Sequence, residues 1–253
     1  MGKILAVVNQ KGGVGKTTTV INLAACLAEQ GLKVLMVDVD PQGNTSSGIG
    51  IDKSKLNMCV YDVLINERRI DEIKVSSGYP QLELVPARIH LAGAEIELVS
   101  TVGREFRLKE ALKPVRDRYD FILLDCPPSL GLLTLNALTA SDGALVPIQC
   151  EYFALEGLSQ LLKTIELVQR HLNPSLEIFG VVMTMFDART NLAQQVIDEV
   201  KTHFGKKVFA TIIPRNIRLS EAPSFGQPVI VYDGKSRGAM AYQDLAKEVM
   251  ARG

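Results

Sequence analysis

Ten residues, Asn9-Gln10-Lys11-Gly12-Gly13-Val14-Gly15-Lys16-Thr17-Thr18, stand between an apolar run, Lys3–Val8, and a helical run, Thr19–Gln30. A strand, a glycine-rich loop and a helix N-terminus in immediate succession form the setting in which a chain wraps a phosphate. The glycines let backbone N–H groups converge on phosphate oxygens without interference from Cβ atoms. The helix N-terminus adds partial positive charge. In such a loop Lys16 sits on the β- and γ-phosphates of a nucleoside triphosphate and the Thr17 hydroxyl ligates Mg²⁺. The loop also dictates a βαβ unit, so the chain around it has to supply a parallel sheet.

The rest of the sequence meets that demand. Short runs rich in Val, Ile and Leu, bounded by turn residues, alternate with longer stretches of helical period. They predict strands at Lys3–Val8, Lys33–Asp38, Leu82–Pro86, Phe121–Asp125, Ala144–Gln149, Ile178–Met185, Val208–Ile213 and Val229–Val231. Helices are predicted at Lys16–Gln30, Val60–Ile65, Arg104–Arg118, Leu132–Thr139, Ala154–His171, Asn191–Phe204 and Gly238–Ala251. The expected fold class is α/β: a doubly wound, mostly parallel twisted sheet flanked by helices on both faces, in a single domain over 1–253. The stretch Gly43–Ser77, polar and Gly/Ser-rich at first and weakly helical after, is expected to be its most mobile part.

Charge and composition narrow the partners. With 28 basic and 28 acidic residues and a pI near 6.8, the chain is neither a uniformly basic nucleic-acid coat nor a polyanion. No run reaches the ~18 apolar residues that span a bilayer. The N-terminus MGKILAVVNQKGG lacks the apolar core and cleavage site of a signal peptide, so a cytoplasmic protein without integral membrane association is expected. Cys26, Cys59, Cys126 and Cys150 stand far apart without a CxxC pair, and read as buried, reduced thiols. His90, His171 and His203 lie in unrelated contexts.

Two carboxylate runs belong with the loop. Phe121-Ile122-Leu123-Leu124-Asp125 is four apolar residues ending in Asp, an arrangement that places Asp125 near the metal; Cys126-Pro127-Pro128 then breaks the strand. Asp125 capping the next helix is the alternative, and a poor one, because Leu132 is well down the chain. The second run, Asp38-Val39-Asp40-Pro41-Gln42-Gly43-Asn44, lies where ligands bind in doubly wound sheets, beyond the carboxyl end of a strand. Asp40, set before a proline, has turn formation as its alternative role.

The loop departs from the common pattern GxxxxGK[ST] at Gln10, where a glycine is usual, and carries a second lysine, Lys11. KGGVGKT resembles the deviant Walker A motif of the ParA/MinD/NifH group of ATPases. The resemblance implies ATP and Mg²⁺ as cofactors, an ATP cradle from Lys11 through Gly12, Gly13, Val14, Gly15, Lys16 and Thr17 to Thr18, and a Lys11 that reaches the nucleotide of a second subunit, so that ATP binding and dimerisation are coupled. It further implies Thr17, Asp38 and Asp125 around Mg²⁺, and Asp40 as the group that orients the attacking water, with Lys11 and Lys16 completing the catalytic charge.

NQKGGVGKTT, VDVDPQGN, FILLDCPPSLGLLTLNAL, EYFALEGLSQL and IPRNIRLSEAPSFGQPV, spread over nearly the whole chain, are similar to the chromosomal ParA/Soj branch. By that resemblance Pro214 and Asn216 hold the adenine, Arg189 and Arg218 contact DNA without sequence preference in the ATP-bound dimer, and a ParB-type centromere-binding protein stimulates hydrolysis and release, at the nucleoid. Asn216 capping the following helix is equally open from the residues alone. Between Asp187 and Arg218, Arg189, Lys201, Lys206, Lys207, Arg215 and Arg218 face Asp187, Asp198 and Glu199, a local charge of +3 in a neutral chain. Such a stripe is either ordinary solvated surface or, doubled in a dimer, a phosphate-tracking surface.

Two alternatives stand beside this reading. A MinD-like membrane-cycling ATPase calls for a basic, amphipathic terminal helix, whereas the C-terminal Leu245, Val249 and Met250 read as packing onto the sheet. A P-loop metabolic ligase or reductase calls for a substrate constellation outside the nucleotide site, and the sequence offers none.

Overall fold

The computed structural model describes residues 2–151 and 156–252. One eight-stranded sheet runs through them: β1 (Lys3–Val7), β2 (Val34–Asp38), β3 (Val75–Ser76), β4 (Leu82–Val85), β5 (Phe121–Asp125), β6 (Gly143–Gln149), β7 (Glu177–Phe186) and β8 (Val208–Pro214). Their spatial order is β3-β4-β2-β5-β1-β6-β7-β8, all parallel except the two-residue edge strand β3.

Side chains in these strands alternate between two cores, as a period of two requires when both faces are covered. Ile4, Ala6, Leu35, Val37, Ile122 and Leu124 enter one core; Leu5, Val7, Val34, Met36, Phe121 and Leu123 enter the other. The first is closed by α3 (Val60–Leu64), α4 (Ile70–Ile73), α5 (Leu91–Glu97), α6 (Arg107–Leu112), α7 (Leu132–Ala140), α8 (Glu156–His171) and α9 (Asn191–Phe204). The second is closed mainly by α1 (Lys16–Glu29) and α12 (Arg237–Arg252), with smaller contributions near α2 (Asn44–Gly48), α10 (Ile217–Glu221) and α11 (Val229–Asp233). The start predicted for α8, at Ala154, lies outside the described residues.

Two expectations are corrected. Val229–Val231 is the first part of the short helix α11 and not a strand: after Pro228 the chain packs Val229 under α1, where the Asn22 side chain accepts its N–H at 2.7 Å. The long helix over Arg104–Arg118 is broken into a 3₁₀ turn at Arg104–Phe106, α6, and a second turn at Arg116–Arg118. Pro114 accounts for the second break, because it has no N–H to give and crowds the residue before it. Gly43–Ser77, read as weakly helical after its polar start, contains the short helices α2, α3 and α4, and buries Thr45, Ser46, Val60, Leu64 and Ile70.

What this architecture does for the site is a matter of register. Asp38 and Asp125 are paired residues at the ends of β2 and β5, and Val7 pairs with Asp125 at the end of β1. The chain order reverses around β1, which lies between β5 and β6, so the loop leaving β1 opens at the switch point of the sheet.

Candidate nucleotide site

Gly15, at φ 91°, turns the loop into α1. That left-handed conformation costs an L side chain energy and a glycine nothing. Lys16, 7% exposed, folds its ammonium back over the loop and donates to the Lys11 carbonyl at 3.2 Å. Burial pulls its pKa below the ordinary lysine value, against the attraction of Asp125 and Asp40. The loop is supported from below: Asn9 accepts the Lys11 N–H at 3.0 Å and donates to the Pro147 carbonyl at 2.7 Å, and Thr184 donates to the Val14 carbonyl at 2.9 Å.

Asp125 is fully buried. Its Oδ2 accepts two hydroxyls, Thr17 at 2.8 Å and Thr45 at 2.7 Å, while its Oδ1 has no partner among the described residues. Asp38, also buried, accepts the Ser46 N–H at 2.8 Å and the Ser46 hydroxyl at 2.7 Å on Oδ2, and the Asp40 N–H at 3.3 Å on Oδ1. Burial raises both carboxyls, Asp38 to about 7 with added repulsion from Asp125, and Asp125 to about 6 against its two hydroxyl bonds. Asp40 is 7% exposed, and its Oδ1 accepts the Gln42 N–H at 2.9 Å. The sequence therefore brings Lys16, Thr17, Asp38, Asp40 and Asp125 into one cluster. Thr45 and Ser46 are not among the residues singled out from the sequence; their hydroxyls tie the segment after Asp40 to the two strand-end carboxylates.

The residues fit a magnesium ion. A buried carboxylate with one orphaned oxygen, beside a threonine hydroxyl at the start of a phosphate loop, is an all-oxygen donor set for a hard cation. Thr17 and Asp125 face that position, whereas Asp38 already has both oxygens engaged and holds the Ser46 segment.

A cavity of about 410 Å³ opens on the other side of the loop, lined by Gly15, Thr18, Thr184, Pro214, Asn216 and Tyr242. Asn216 caps α10, its Oδ1 accepting the Arg218 N–H at 2.9 Å, and the residue also lines this cavity. A larger cavity, about 570 Å³, lies between α4 and α6 and shares no residue with the carboxylate cluster.

Lys11 is paired within its own chain, 3.5 Å from Glu151, which also lies 3.5 Å from Arg215. Arg189 and Arg218 are both at the surface and both engaged: Arg189 with Asp187 at 2.6 Å, whose carboxyl it draws well below the usual range, and Arg218 with Glu221 at 2.8 Å and Asp233 at 3.2 Å. All four cysteines are free and buried, as expected.

Comparison with known proteins decides what the site belongs to. Residues 2–178 match the AAA domain family. Over its whole length the chain is 62% identical to the sporulation initiation inhibitor protein Soj of Bacillus subtilis, itself fully covered, and 55% identical to the chromosome partitioning protein ParA of Myxococcus xanthus, 89% of which is covered. The chain belongs to the Soj/ParA family of chromosome-partitioning ATPases. Among solved structures, one described as cobyrinic acid a,c-diamide synthase from Mycobacterium smegmatis, with bound ADP and magnesium, is 41% identical with a TM-score of 0.87, covering 99% of this chain and 94% of that one. The cell division ATPase MinD of Pyrococcus furiosus is 27% identical with a TM-score of 0.80, and each chain is fully covered. Like its Soj/ParA relatives the chain is a P-loop ATPase, and the solved Mycobacterium smegmatis structures hold ADP or an ATP analog with magnesium.

Proposed function

We propose that this Soj/ParA ATPase is a nucleotide-gated DNA-binding dimer. Each chain holds ATP through Lys11–Thr18, with the base between Pro214 and Asn216. The observation that carries the reading is that the Thr17 and Thr45 hydroxyls both donate to the buried Asp125 beside the loop, with Asp38 held next to it by Ser46 and Asp40 by its own turn. Thr17 and Asp125 would hold a magnesium ion there, which would supply neutralisation of the charge that develops on the phosphates. Lys16 gives a positive charge to the same oxygens. Asp40, buried and oriented by its own turn, accepts a proton from the attacking water and aims it. Lys11 leaves Glu151 and reaches the phosphates of the second copy, so that ATP joins two chains.

Dimerisation doubles the +3 surface from Asp187 to Arg218, and Arg189 and Arg218 exchange their carboxylate partners for DNA phosphates. Such contacts position without reading sequence and weaken steeply with salt. A ParB-type partner that stimulates hydrolysis returns the chain to the monomer and frees the DNA at the nucleoid. The test is co-sedimentation with a DNA duplex of arbitrary sequence in ATP, ADP and no nucleotide. Retention with ATP alone, lost at raised salt, is expected; equal retention in all three states refutes the gating.

The 41% identity to a structure described as a diamide synthase favours a second reading, a ligase. Against it stands the higher identity to Soj, 62% over the whole chain. ATP turnover that rises with DNA and a ParB-type protein supports partitioning; turnover that rises only with a corrinoid acid and an amide donor supports the ligase. Against a MinD-like membrane cycle, α12 buries Tyr242, Leu245 and Val249 in the core. No described helix is long and apolar enough to cross a membrane.

A further inference from the structure

The turn that carries Asp40 is gripped from outside by a side chain with no part in the site described above. Inside the turn, the Asp40 carbonyl accepts the Gly43 N–H at 2.9 Å and Asp40 Oδ1 accepts the Gln42 N–H at 2.9 Å. From the segment after α2, Lys53 reaches back, and its Nζ donates to the carbonyls of Gln42 at 2.8 Å and Gly43 at 3.2 Å. Gly43 stands at φ 63°, and a Cβ there would lie 2.9 Å from the Ala87 carbonyl oxygen and 2.9 Å from Lys53 Cδ. The turn is thus wedged between the Ala87 backbone and the Lys53 stem. Hydrogen bonds from an ammonium are about twice as strong as neutral ones, and two on consecutive carbonyls fix both peptide planes. Lys53 is half-buried and has no carboxylate within ion-pair distance among the described residues, so the carbonyls are its partners.

We propose that Lys53 is a positioning residue for ATP hydrolysis, holding the Asp40 turn in the place from which Asp40 aims water. This rests on the reading of Asp40 given above. Lys53 lies outside the ATP cradle, so its loss leaves nucleotide binding in place and slows turnover.

Lys53→Met keeps the stem and removes the charge. Its kcat is expected to fall about tenfold or more, within the ~100-fold that a 1 Å misplacement costs, while KM for ATP stays within about twofold. Lys53→Arg, which still donates to both carbonyls, recovers most of the rate. Hydrogen exchange at Gln42 and Gly43 quickens in Lys53→Met and not in Lys53→Arg, with α1 unchanged. If Asp40→Ala is inactive and Lys53→Met turns over normally, Lys53 has no positioning role. If Asp40→Ala turns over normally, the reading of Asp40 fails instead, and unchanged exchange at Gln42 and Gly43 in Lys53→Met then overturns the clamp by itself. A rise in KM together with faster exchange across α1 also overturns it, since Lys53 would then support the fold at large.

Discussion

Thr45→Val probes the joint between the segment after Asp40 and the strand-end carboxylates. Thr45 is fully buried and donates to Asp125 at 2.7 Å, and valine replaces its hydroxyl with a methyl group of similar size, so no cavity is created. A hydrogen bond to a charged acceptor contributes about 1.5–3 kcal/mol, and the upper half applies here because both Thr45 and Asp125 are fully buried. Asp125 would keep Thr17 as its one donor while Oδ1 stays bare. For a chain of this size each kcal/mol moves the melting temperature by about 2–4 °C, so Tm should fall by roughly 4–12 °C. Loss of a bond that favours the ionised form also pushes the Asp125 carboxyl further up. The assay is thermal unfolding of the nucleotide-free protein followed by circular dichroism, with Thr45→Ser as the control that restores the hydroxyl. A Thr45→Val protein that melts with the wild type, or a Thr45→Ser protein that melts as low as Thr45→Val, refutes the assignment.

Stability without nucleotide should depend on pH through the same pair. Burial raises Asp38 to about 7 and Asp125 to about 6, above their value in the unfolded chain, near 3.8. Between those limits the folded protein holds more protons than the unfolded one, so stability falls as pH rises through the window. Tm should drop from pH 5.5 to pH 8 more steeply in the wild type than in Asp38→Asn; parallel profiles would contradict the shifts. Lys16→Ala should lose ATP affinity, and wild-type affinity measured by fluorescent-nucleotide titration would overturn the phosphate assignment. Arg189→Glu or Arg218→Glu should abolish DNA retention in filter binding while ATP-dependent dimerisation survives; loss of both would mean that these residues serve the fold. Val249→Asp places an unpaired carboxylate in the second core and should cost several kcal/mol in urea unfolding. A neutral result would show α12 free of the sheet.

Local patterns made the site's centre legible. The loop at Lys11–Thr18 and the apolar runs ending in Asp38 and Asp125 each combine a residue type with a strand end, and strand ends in a parallel sheet converge. The partners of those residues are set by packing. Thr45 meets Asp125 from 80 positions away in sequence, and Glu151 meets Lys11 across the width of the site. A clue existed for Thr45 and Ser46, since hydroxyls directly after VDVDPQGN stand beyond a strand end next to two acids. The helix α5 was also readable, from Leu91, Ala94 and Leu98 at helical spacing, but Gly93 and its short length hid it. At Val229–Val231 the β-branched run suggested a strand, and burial under α1 overrode that propensity.

The neutrality of the chain, with 28 charges of each sign, fits attachment to DNA that is conditional on joining two copies. Joining is the step on which the account depends, and it is assigned to Lys11. The decisive measurement is sedimentation velocity of Asp40→Ala, which should bind ATP without consuming it, beside the double variant Lys11→Ala, Asp40→Ala. The account predicts a stable dimer of Asp40→Ala with ATP, a monomer with ADP, and a monomer of the double variant in both. A double variant that dimerises with ATP as well as Asp40→Ala does would contradict it.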